Sequence, residues 1–196
     1  MCTYQEFYKL LRSRTDEDLI QQDRQSEVYR GVYRGLQLYF SQVNESPTTE
    51  EFVETGVKAL TLGYPYYVWC DRFTEGGYQL IVAGLLHGIN VATFASASYD
   101  DKQMLQIYLG ELHGIDTSSY ASVNYSYEKM YTYRQLIEKG VDITSFLDSN
   151  YTYFHLDTIA DCCNYGVDIT ALLDPNLPQE EVIQISNKLI ATKWDN

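Results

Sequence analysis

Basic residues are scarce in this chain. Fourteen Lys and Arg stand against 27 Asp and Glu, a formal charge of −13 at pH 7. Phosphate recognition needs Lys and Arg, so the shortage disfavours a general binder of nucleic acid or of anionic membranes. It favours a partner with a basic surface, or acidity that serves solubility alone. Long apolar runs are missing as well: no stretch approaches the roughly 18 apolar residues that a membrane span requires. The opening Met1-Cys2-Thr3-Tyr4-Gln5-Glu6 is polar and has no apolar segment of the secretory kind. The expectation is a protein of the cytoplasm, with no membrane partner.

Cysteine and histidine are equally sparse. The four cysteines, Cys2, Cys70, Cys162 and Cys163, include no C-x-x-C pair, and a bridge between the adjacent Cys162 and Cys163 would be strained. Structural zinc is therefore not expected, and in a reducing compartment the thiols stay free. The phosphate-binding patterns G-x-x-x-x-G-K-[ST] and G-x-G-x-x-G do not occur. No catalytic residue, metal ligand or cofactor can be nominated, and a non-enzymatic protein is expected.

What the chain does have is tyrosine, 19 of 196 residues, within a composition that is 45% hydrophobic and 21% charged. That balance belongs to folded proteins. Tyrosine provides large, stiff contact area with a polar tip, suited both to cores and to recognition surfaces.

It also has a period. Steps of 26 link Phe73, Tyr99, Tyr125, Tyr151 and Leu177. The same step links Gly88, Gly114, Gly140 and Gly166, then Asn90, Asp116, Asp142 and Asp168, and then Phe94, Tyr120, Phe146 and Leu172. Such self-similarity marks stacked structural repeats. In each unit an aromatic residue sits where a hydrophobic staple would, and Asp100 is placed to cap a helix. The pairs Met104/Ile107, Met130/Tyr133, Leu156/Ile159 and Val182/Ile185 mark the buried face of a helix of about 13 residues. The glycine suits the left-handed position after its last turn. Val141-Asp142-Ile143-Thr144 and Val167-Asp168-Ile169-Thr170 then predict a capped, very short helix rather than a strand. The fold class expected is all-α, a short α-solenoid of long-helix/short-helix units over 73–196, comprising four repeats and a C-terminal capping helix from Leu177.

Residues 1–46 lie outside the period. Thr3 to about Ser13 reads as one helix, and the stretch from near Asp16 to Val43 as a longer one, with Tyr29, Val32, Tyr33, Leu36 and Phe40 at helical spacing. Gly31 and Gly35 weaken that helix by roughly 1 kcal/mol each against Ala unless something packs closely there. Residues 47–72 read as a degenerate repeat or connector, with Thr48-Thr49-Glu50-Glu51-Phe52 as a capped helix start and Gly63 one residue late for the register. Residues 1–46 carry six bases against seven acids, so nearly all the excess negative charge belongs to the remainder.

Recognition positions are read from the faces that the core pattern leaves over. The series Gln103/Lys129/His155/Glu181 and Gln106/Thr132/Thr158/Gln184 are expected to face solvent along the long helices. Acidic pairs at helix starts, Asp100/Asp101 and Glu180/Glu181, suit the helix dipole. Asp100, Asp101, Gln103, Glu128, Lys129, His155, Glu180 and Glu181 are thus the candidate partner contacts. His87 and His113 precede the glycine, where positive charge also suits the dipole, and His155 is placed on the solvent side of its helix. Arg30 and Arg34, interleaved with Tyr29 and Tyr33, form a small basic stripe that could touch nucleic acid or pair with Glu27.

The unit Tyr99-Asp100-Asp101-Lys102-Gln103-Met104-Leu105-Gln106-Ile107 … Gly114-Ile115-Asp116-Thr117-Ser118-Ser119-Tyr120-Ala121 resembles short helical repeats of Firmicutes proteins and their mobile elements. The likeness covers roughly residues 73–190. It departs where that pattern has an arginine after Ile107 and this chain has Tyr108. It is specific for the repeat and carries over no functional residues; the architecture is also similar to that of other short α-repeat solenoids, which bind proteins or nucleic acids through an extended face. Together with the acidity of the repeats, it makes the expected partner a protein with a basic surface, such as a nucleic-acid-processing nuclease. An inhibitor of the anti-CRISPR or antirestriction type is the sharpest form of that expectation; a host helical-repeat scaffold or a weak DNA binder is the alternative.

Overall fold

Helix starts in this chain are set by side chains that accept from free backbone N–H groups. In the computed structural model, which describes residues 2–15, 25–62, 73–147 and 150–194, nine α-helices are present and no strand occurs among the described residues. They are α1 (Tyr4–Arg12), α2 (Gln25–Gln42), α3 (Thr49–Thr61), α4 (Glu75–His87), α5 (Asp101–Leu112), α6 (Tyr127–Glu138), the short α7 (Thr144–Leu147), α8 (Tyr153–Asn164) and α9 (Gln179–Trp194). The chain divides into two compact units, Met1–Leu112 and His113–Asn196. The expected Asp16 start of the second helix, Glu27 as a partner for the Arg stripe, Gly63 and Cys70 lie outside the described side chains.

In the first unit, α1 and α3 both open on a capping box. Thr3 accepts from the Glu6 N–H while Glu6 accepts from the Thr3 N–H, and Thr48 with Glu51 repeats the arrangement. The apolar sides of α1 to α4 meet in a core rich in aromatic rings. Phe7 and Phe52 lie edge to face at 5.5 Å, and Phe40 stacks on Phe52 at 5.7 Å. Val28, Tyr29, Val32 and Leu36 of α2 are buried beside them. Gly31 and Gly35 make the approach of α4 possible. A Cβ at Gly31 would collide with the Tyr78 ring, and one at Gly35 would lie 2.6 Å from Val82 Cβ. These two residues are the notch into which α4 packs, which offsets their poor helix propensity.

The periodic elements are built alike wherever they occur. Thr74, Asp100, Ser126 and Thr152, 26 residues apart, each accept from the N–H three residues on. The glycines that follow α4, α5, α6 and α8 have positive φ: 73° at Gly88, 71° at Gly114, 76° at Gly140 and 63° at Gly166. An L side chain is disfavoured in that region, whereas glycine enters it freely. Asn90, Asp116, Asp142 and Asp168 then accept from the N–H two residues on, starting short helical turns at Val91–Thr93, Thr117–Ser119, α7 and Thr170–Leu172. In the second unit α6 packs on α8 and α8 on α9, in chain order.

Candidate recognition surface

What remains for recognition depends on which side chains the folding of each unit consumes. Among the expected contacts, two are corrected: Gln103 is 7% exposed and His155 3%. Gln103 is the far half of a capping box, its Oε1 accepting from the Asp100 N–H at 2.9 Å while Asp100 Oδ1 accepts from the Gln103 N–H at 2.8 Å. His155 Nε2 donates to the Leu172 carbonyl at 2.8 Å, and its ring lies edge to face with Tyr151 at 4.9 Å. His155 lies inside rather than on the solvent side because the buried Leu172 carbonyl needs a donor. One unit earlier the equivalent carbonyl, of Phe146, is served by Tyr133 OH at 3.0 Å. Gln106 and Thr132, expected on the solvent face, are buried too, and Thr158 is half-buried.

The other candidates divide. Asp101 Oδ1 accepts from the Thr74 hydroxyl and sits against the Gly76–Gly77 backbone at the start of α4, so it is committed to packing within the first unit. Asp100 is exposed but its carboxylate is the α5 cap. Lys129 is half-buried, with Nζ 5.1 Å from the Tyr125 ring centre and 5.5 Å from that of Tyr133. Burial lowers its pKa. Glu128 is half-buried in the first turn of α6, and Glu180 and Glu181 are exposed in the first turn of α9. Arg30 and Arg34 are exposed but share Glu75 of α4, at 4.0 Å and 2.9 Å. That acid offsets much of the positive stripe.

The histidines before the glycines differ from the helix-dipole expectation. His87 packs against the Tyr39 ring at 4.7 Å, and burial lowers its pKa, so the neutral ring is favoured there. Nearby Tyr108 is fully buried, its phenol pushed up to about 12 by that burial. His113 Nδ1 meets Glu138 Oε1 at 2.8 Å, and Arg134 approaches the same carboxylate oxygen. Burial alone would raise the Glu138 carboxyl, but the bonds from His113 and Arg134 together hold it below the ordinary range.

The outward sides of α6 and α8 carry a group that the periodic reading passed over. Tyr131 is 36% exposed and Tyr153 46%. Tyr153 OH points toward Asp157 Oδ1 at 3.4 Å, within electrostatic reach of Tyr131 and Glu128. Its phenol is raised by burial and then by the Asp157 charge. Asp161, one turn beyond Asp157, is raised by burial and by that same charge. The signal was present in the spacing of Tyr153, Asp157 and Asp161, since residues four apart share a helix face.

Among the described residues no three His, Cys, Asp or Glu side chains are grouped to hold a metal ion. Cys2, Cys162 and Cys163 are free thiols whose pKa values are raised by burial. No helix among the described residues is long and apolar enough to cross a membrane. The chain matches no family model, no curated protein and no solved structure.

Proposed function

We propose that this is a non-enzymatic binding protein whose periodic helices stack as a short solenoid and whose acidic, tyrosine-bearing face docks on a basic protein surface. The observation that carries the reading is the group Glu128, Tyr131, Tyr153, Asp157 and Asp161 on α6 and α8. Exposed tyrosines combine a flat apolar ring, attractive to arginine, with a polar tip. Carboxylates beside them supply the complementary charge that steers and orients a cationic partner. Asp161 already feels its acidic neighbour, so a cation placed there relieves repulsion as well as gaining attraction.

Enzymes that handle nucleic acid are the natural owners of such basic surfaces, because they bind phosphate. The resemblance of the repeats to those of mobile-element proteins narrows the partner further, to a nuclease of a defence system that this chain inhibits. The packing of α6, α8 and α9 in chain order supports the solenoid part of the reading.

Immobilised full-length chain is expected to capture such nucleases from a panel of purified defence enzymes. Capture should fall at least about tenfold when Glu128, Asp157 and Asp161 are changed together to their amides. Added salt should weaken it as well. Absence of capture across the panel, or capture indifferent to the three amides, overturns the reading.

A further inference from the structure

His87 and His113 hold the same position in consecutive units, yet their surroundings treat a proton in opposite ways. His113 Nδ1 meets the Glu138 carboxylate at 2.8 Å, and Arg134 holds the same acid. One unit earlier, the positions of Glu138 and Arg134 are taken by Leu112 and Tyr108. His113 therefore has a carboxylate ready to receive a positive charge, and at His87 that place in the unit belongs to a leucine.

The setting of His87 suits only the uncharged ring. It packs on the Tyr39 ring of α2 at 4.7 Å and lies 6.2 Å from the Tyr108 ring of α5. Its Nε2 is buried with no hydrogen-bond partner among the described residues, and so is the Tyr108 hydroxyl. The titratable groups that face it are these two tyrosines, and tyrosine carries no charge where histidine titrates. Arg30 and Arg34 of α2 are committed to Glu75, and no charged group, Glu111 of α5 included, contributes to the protonation of the ring. The last carbonyls of α4 offer no compensation, because Gly88 N–H donates to Leu85 and Ile89 N–H to Gly84.

Position makes this ring mechanically useful. Gly31 meets Tyr78, Gly35 meets Val82, and Tyr39 meets His87, so the histidine is the last rung of the contact between α2 and α4. The unfolded chain takes up a proton at histidine near pH 6.5, whereas the folded ring resists it. The stability that this rung supplies is complete above about pH 6.5 and is lost as pH falls below it. At His113 the same proton completes an ion pair with Glu138.

We propose that His87 is a proton-operated latch: uncharged, it fastens the end of α4 to α2 and α5, and protonated in mild acid it releases that end while the notch at Gly31 and Gly35 holds the rest of the helix. The latch lies within Met1–Leu112 and does not depend on what the acidic face of α6 and α8 binds.

The test is a pH titration of the full-length, 15N-labelled chain followed by NMR. The His87 ring is expected to take up its proton at lower pH than histidine in a short blocked peptide. Amides from Leu85 to Ile89, corrected for intrinsic exchange, should exchange at least about fivefold faster at about pH 5.5 than at about pH 7.5. His87→Phe keeps a ring against Tyr39 that cannot be protonated, and should abolish this acceleration. Leu112→Glu supplies the carboxylate that Glu138 gives His113, and should reduce it. A His87 ring that titrates at or above the peptide value, or exchange indifferent to pH, overturns the proposal even if neither variant folds. An acceleration that persists unchanged in either folded variant overturns it too.

Discussion

The helices of residues 2–62 and those of residues 113–194 reach stability by different routes. The first set converges on a single group of rings, Phe7, Phe40 and Phe52, and on a tight groove in α2 cut by Gly31 and Gly35. Every element there depends on the shape of another. The second set repeats a small kit of local bonds: a hydroxyl N-cap, a left-handed glycine, an Asx turn, and a buried carbonyl met by Tyr133 or His155. The kit holds each unit internally, so the outward faces are released from packing duties. The lesson is that recognition residues are best sought where the local kit is complete and a side chain is still left over, as at Tyr153, Asp157 and Asp161.

If that contrast holds, perturbing shape should hurt the first region most. Gly31→Ala drives a methyl into the Tyr78 ring and is expected to lower stability by about 3 kcal/mol, read from chemical denaturation. The same change made at Gly76, which faces the Asp101 side chain rather than an aromatic ring, would serve as a milder comparison. A Gly31 variant with wild-type stability would show that α4 does not depend on the notch.

In the second region, a smaller and more local effect is expected. Nothing lies within 4 Å of a Cβ built on Gly140, so only its φ of 76° opposes a side chain. Gly140→Ala should therefore lower stability by about 1 kcal/mol, and Gly140→Asn by less, because asparagine tolerates the left-handed region. Equal losses for the two would mean that space rather than backbone conformation governs the turn.

The smallest effect concerns pH. The carboxyls of Asp116, Asp142 and Asp168 are held below the ordinary range, chiefly by their hydrogen bonds from Ser118, Thr144 and Thr170. A depressed folded pKa gives stability that is complete above the unfolded value, about 3.9 for aspartate, and is lost as pH falls through the folded one. Asn90 shows that an amide oxygen performs the same turn without titrating. Changing the three aspartates to asparagine should keep the fold and flatten the acid limb of the stability curve, measured by thermal unfolding between about pH 5 and pH 2. An unchanged limb would place the acid sensitivity elsewhere, for instance at Glu138.

Much of the fold was legible in the sequence. Period 26 located the left-handed glycines, the short turns and the Asp100 cap, because each depends on residues within a few positions of one another. The capped start at Thr48 was readable for the same reason, whereas the capping box at Thr3 came with the structure. The candidate surface was less legible. Spacing could say that Gln103 and His155 share a position in the unit, but not that one closes a capping box and the other serves a carbonyl 17 residues on. The fate of Arg30 and Arg34 depended on Glu75, more than 40 residues distant in the chain.

The sequence by itself determined that this protein is helical, periodic from Phe73 onward and strongly acidic, since helix starts, stops and net charge are local or additive properties. Tertiary structure alone decided that Gly31 and Gly35 form a notch for α4. It also decided that His155 is inside, and that Tyr131 and Tyr153 remain outside beside Asp157. Those outcomes depend on which helix faces meet and on which buried groups then need a partner, and no single segment contains that information.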